Sequence, residues 1–105
     1  VTGARASNVF DGAYSGTQYA VNPDYCGYTE RPSNFVIRDD HFSVRLGQGR
    51  KDVDVASDGT FWATNIAGDK PRWMATFHGK ITDGQLVADI DSGHCALHIT
   101  AAKVQ

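Results

Sequence analysis

Residues 72–91 read RWMATFHGKITDGQLVADID. Trp73, Ala75, Phe77 and Ile81 share one parity before Asp83–Gly84, and Leu86, Ala88 and Ile90 share one parity after it. A period of two places each set on one face of an extended strand. Asp–Gly between two such runs is the strongest short-range hairpin signal, because glycine accepts the positive φ that the turn demands. The stretch predicts two antiparallel strands with an apolar inner face.

The same grammar holds upstream. In FVIRDDHFSVRL (35–46), Phe35 and Ile37 alternate inward, Asp39–Asp40–His41 form a polar turn, and Phe42, Val44 and Leu46 alternate inward again. In KDVDVASDGTFWAT (51–64), Val53 and Val55 point inward, Asp52 and Asp54 outward, and the turn falls at Ser57–Asp58–Gly59. No stretch longer than ten residues carries a convincing 3.6-residue apolar period. DGAYSGTQYAV (11–21) reads as a first strand with glycines at 12 and 16. NPDYCGYTERPSN (22–34) is rich in Pro, Asn, Asp and Gly and reads as the longest irregular loop. Residues 1–10 read as a flexible N-terminal arm, and 11–105 as a single domain. About eight short strands close best as an all-β antiparallel up-and-down barrel or a two-sheet sandwich.

Composition agrees. The chain has 105 residues, and 41% of them are hydrophobic. It holds 12 acids, of which only Glu30 is glutamate; aspartate favours turns and caps over helix interiors. The formal net charge is −2 with no basic stripe, which argues against nucleic acid as a partner. No apolar run approaches the length of a transmembrane helix.

The closing segment GHCALHITAAKV (93–104) also reads as a strand. Cys95, Leu97 and Ile99 then face inward, and His94, Ala96, His98 and Thr100 face outward. On a strand His94 and His98 lie about 13 Å apart, too far to grip one metal ion together; each remains only a weak candidate ligand beside His41 or His78 of another strand. Cys26 and Cys95 are expected to form a disulfide that ties the early loop to the last strand. Closing that loop is worth roughly 4 kcal/mol in the chain-entropy model. Two cysteines and a chain starting at Val1 point to a periplasmic or secreted protein whose signal peptide has been removed, or to a trimmed chain.

Enzyme signatures are missing. G-x-S-x-G, H-E-x-x-H, the P-loop and G-x-G-x-x-G do not occur. DSGH (91–94) resembles the nucleophile surroundings of trypsin-like proteases, but the remainder of that pattern is lacking. Asp39–Asp40–His41 sits at a wet hairpin tip, where general-base work gains little. The expectation is therefore a non-enzymatic domain without a cofactor. Tyr14, Tyr19, Tyr25 and Tyr28 crowd into fifteen residues, and aromatics on a pinned loop suit an interface as well as a core rim. If Phe61 faces the core beside Val53 and Val55, Trp62 faces out and marks a contact surface. Tyr19, Tyr25, Tyr28 and Trp62 are the candidate residues for docking a protein partner as an accessory subunit. The alternative is a barrel holding a small apolar ligand at its mouth, lined by Trp73 and Phe77.

The pattern FDGAYSGT…C…VIRDDHFSV…SDGTFWA…FHGKITDGQLVA…C…HIT resembles small, uncharacterised secreted or periplasmic β-domain proteins of proteobacteria. The resemblance spans about residues 10–103 and rests on turns and core positions. The architecture it implies is also similar to barrel-type bacterial metalloprotease inhibitors, which insert an N-terminal arm into the enzyme cleft. The wide spacing of Cys26 and Cys95 departs from the close pair of that family, and this leaves protease inhibition as a further alternative.

Overall fold

A computed structural model describes residues 9–46, 49–65, 75–91 and 95–104. Eight strands follow one another: β1 (Gly12–Ala20), β2 (Glu30–Ile37), β3 (His41–Leu46), β4 (Gly49–Asp54), β5 (Thr60–Asn65), β6 (Ala75–Thr82), β7 (Gln85–Asp91) and β8 (Ala96–Lys103). One helical turn, α1 (Pro23–Cys26), lies between β1 and β2. Six strands form one sheet in the order β2-β1-β8-β7-β6-β5, and β3 pairs with β4 in a second. Every pairing is antiparallel.

The barrel does not close. Among the described residues the only ladder bridge between the β2 and β3 segments is Arg38–His41, and the only one between the β4 and β5 segments is Val55–Phe61. Both hairpins bend the chain from one sheet to the other, so the turns found in the sequence act as corners. The β2–β3 corner is a two-residue turn with both Asp39 (φ 52°) and Asp40 (φ 63°) left-handed, and His41 already belongs to β3. Asp11 holds it: its two carboxylate oxygens accept the Asp39 and Asp40 N–H groups at 2.9 and 3.1 Å. At the Asp83–Gly84 turn both residues are also left-handed (φ 51° and 77°), as a tight hairpin requires. At the β4–β5 corner Asp58 accepts from the Thr60 hydroxyl and N–H, and these bonds lower the Asp58 pKa.

The loop read as 22–34 is shorter than the sequence suggested. Glu30–Asn34 belong to β2, despite Pro32. The strand tolerates proline because β2 ends the six-stranded sheet and its far side has no ladder to lose. The antiparallel pairing of β3 with β4 is announced by no Asp–Gly dipeptide in the sequence.

The core lies between the two sheets. Phe35, Phe42, Phe61 and Phe77 form its centre. The Phe42 ring stands edge-on to Phe35, Phe61 and Phe77 at 5.5, 5.3 and 6.0 Å, and Phe61 stacks on Phe77 at 5.2 Å. Such pairs add about 0.5–1.5 kcal/mol each beyond their burial. Tyr14, Ile37, Val53, Leu86 and Ile99 are fully enclosed around them. Phe10, at the end of the segment read as an arm, packs on this core. Its carbonyl accepts the Tyr14 hydroxyl at 2.9 Å. Burial raises the Tyr14 pKa, and the nearby Asp11 carboxylate raises it further.

The strand parity of the closing segment holds. Ile99 and Ala101 are buried, Leu97 packs on the core, and His98 faces outward. Cys95 bonds to Cys26 across 69 residues of chain. Asn22 adds a second tie, its side-chain oxygen accepting the Ala96 N–H at 2.8 Å.

Candidate functional site

The ladder registers bring six residues into one row across the large sheet. Glu30 stands opposite Tyr19, Tyr19 opposite His98, His98 opposite Asp89, Asp89 opposite His78, and His78 opposite Trp62. Each strand contributes one side chain of outward parity. The row crosses five interstrand gaps of about 4.8 Å, or roughly 24 Å of surface. Trp62 is 64% exposed at one end and Tyr19 is 43% exposed near the other. Between them the Nδ1 atom of His98 lies 2.8 Å from the Asp89 carboxylate. The aromatic ends supply large apolar contact area, and the His–Asp–His centre supplies hydrogen-bonding groups of both kinds.

Three residues of this row are among those singled out in the sequence: Tyr19 and Trp62 as docking residues, and His98 as a candidate metal ligand. Tyr25 is the most exposed of the candidates, at 73%, and sits on α1 beside the disulfide. Tyr28 is half-buried; Gln18 Nε2 donates to its hydroxyl at 2.7 Å, and the Arg31 guanidinium lies 3.8 Å over its ring. Tyr28 therefore braces the loop against β1 and β2 rather than standing free.

Trp73 and His94 lie outside the described residues. Phe77 has no exposed surface and is packed among Phe42 and Phe61. It belongs to the centre of the core, because these two rings fill the space that an apolar ligand would need. Among the described residues no group of three or more His, Cys, Asp or Glu side chains is arranged to hold a metal ion.

The sequence reading named His78 only as a possible partner of His94 or His98, and it missed Glu30 and Asp89. One of these was within reach. A two-residue turn at Asp83–Gly84 makes Thr82 face Gln85, and counting back in steps sets His78 against Asp89. Glu30 was hidden because its segment was read as a loop.

A second feature opens on the other side of β2. A cleft of about 320 Å³ lies between β2 and β3, with Phe35, Val44, Leu97 and Ile99 among its apolar lining and Ser43 and Arg50 among its polar lining. Arg50 Nε donates to the Ser43 hydroxyl at 3.0 Å.

No protein-family model, no curated protein and no solved structure matches this chain. Among the described residues no helix is long and apolar enough to cross a membrane.

Proposed function

We propose that this chain is a non-enzymatic, extracytoplasmic binding domain that docks on a protein partner through the outer face of its six-stranded sheet. The observation carrying this reading is the row from Trp62 to Glu30. An exposed Trp and Tyr bracket a polar centre on a sheet whose four inner strands are paired on both sides, which supports a face that is ordered before anything binds. Rigid aromatic anchors lose little entropy on docking, which is why Trp and Tyr dominate interface energetics. The Cys26–Cys95 bond supports an oxidising compartment.

The test is site-specific photo-crosslinking in the native source, with the photoreactive residue placed at position 62. A discrete protein adduct, lost when Tyr19 and His78 are both changed to alanine, is the expected result. Adducts only with the chain itself, or the same adducts from a probe on β4, would overturn it. Turnover of a common ester, glycoside or peptide that disappears with His78→Ala would overturn the non-enzymatic reading.

A further inference from the structure

We propose that the cleft between β2 and β3 receives an extended acidic peptide segment, which adds to the fold as an extra strand. The inference concerns a surface distinct from the outer-face row, and it stands or falls independently of that reading.

The main chain carries the argument. At the β2–β3 corner Arg38 N–H donates to His41 O and His41 N–H donates to Arg38 O, both at 3.0 Å. An antiparallel ladder continued from that pair would next set Val36 opposite Ser43, with the backbone groups of Val36 and Asn34 facing those of β3. No such ladder forms: among the described residues the Arg38–His41 bridge is the only pairing between the two strands. Past the corner the strands part, and the cleft opens between their facing edges. Two edges with N–H and C=O groups aimed into one gap are matched by another strand's main chain, whereas a small apolar molecule satisfies neither.

The side chains define which strand. Alternate residues of an inserted segment would face Phe35, Val44, Leu97 and Ile99 at the cleft floor, so they must be apolar. The residues between them would face outward, on the side where Arg50 lies. The Arg50 guanidinium has its Nε on Ser43, and no carboxylate among the described residues pairs with its other nitrogens. An Asp or Glu of the incoming segment completes that group. Pro32 sets the limit. It has the same parity as Asn34 and Val36, so its missing N–H falls on the cleft side and a ladder on β2 stops there.

A displayed library of random hexapeptides, selected on the disulfide-bonded protein, provides the probe. The expected winners alternate apolar and acidic residues. Their binding should slow amide exchange at Asn34, Val36 and Ser43. Methylating the winner's main-chain nitrogens should abolish binding, and replacing its acidic residue with lysine should weaken binding about tenfold or more. Arg50→Gln should weaken it by a similar factor, while Trp62→Ala should leave it unchanged. A selection with no enrichment over an empty display control would overturn the proposal. So would winners whose protection maps to the outer row or to β5, or whose affinity survives main-chain methylation.

Discussion

The imidazole of His98 and the carboxylate of Asp89 meet at 2.8 Å across the β7–β8 ladder, on the open face of the sheet. Their side chains remain 42% and 49% exposed. Exposed pairs of this kind contribute about 0–1 kcal/mol, since water screens the attraction and ordering the side chains offsets it. Asp89→Asn should therefore lower the urea-derived unfolding free energy by no more than that amount. The same change should weaken partner binding at the outer face. A large loss of stability without loss of crosslinking would assign the pair to the scaffold instead.

The Cys26–Cys95 bond closes 69 residues of chain. Chain-entropy reasoning gives it about 4 kcal/mol of stability, much of what a domain this size possesses. The paired change Cys26→Ser with Cys95→Ser should lower the urea-derived unfolding free energy by about 2–5 kcal/mol. Reductant added to the native protein should reproduce the loss. A double variant as stable as the parent would mean that Asn22 and the β1–β8 ladder suffice to hold the loop.

Gly16 of β1 stands opposite Ala101 of β8. A Cβ built there overlaps the Thr100 carbonyl oxygen and the Ala101 Cα, both main-chain atoms of the paired strand. Neither can rotate away as a side-chain tip would. Gly16→Ala should cost about 3 kcal/mol or more, and amide exchange should rise first in β1 and β8. Gly27 is the control. It has open space around its Cα, and its cost comes only from a φ of 83°, so Gly27→Asn should be mild.

Tyr14 makes the fold sensitive to alkali. Its folded-state pKa is raised above 10, first by burial and then by Asp11. Above the unfolded pKa of about 10 the unfolded chain gives up the proton while the native state keeps it, so stability falls as pH rises. Chemical denaturation between pH 8 and about 11 should show a declining slope that is smaller in Tyr14→Phe. That variant should also start lower, because the Phe10 carbonyl loses its donor. Identical slopes in the two proteins would place the alkaline sensitivity elsewhere.

Asp40 carries an avoidable strain. Its φ is 63°, and one of its carboxylate oxygens is buried without a hydrogen-bond partner among the described residues. Glycine at this position accepts the left-handed backbone and removes the stranded oxygen. Asp40→Gly should raise the melting temperature, by an amount corresponding to about 1 kcal/mol. A fall would show that the carboxylate has a use in holding the corner that its geometry does not reveal.

Much of this fold is written locally. Parity separated Phe61 from Trp62 and His98 from Ile99, because alternation along a strand is fixed by the backbone's own pleat. The turn at Asp83–Gly84 located itself by the backbone angles it needs. The first half of β2 escaped the same logic: Pro32 and its polar neighbours resemble a loop, and pairing with β1 at the end of the sheet makes them a strand.

The sequence by itself determined which side chains point inward, where the chain reverses and which two sulfurs are available to bond, since each follows from residues near one another in the chain. The tertiary structure alone decided that β1 lies between β2 and β8, and that β2 and β3 part beyond their shared turn. Those choices gather Trp62, His78, Asp89, His98, Tyr19 and Glu30 into one row and open the cleft beside Arg50. The reason is physical: pairing between strands distant in sequence is settled by how the two sheets bury the four phenylalanine rings together, and no local stretch contains that information.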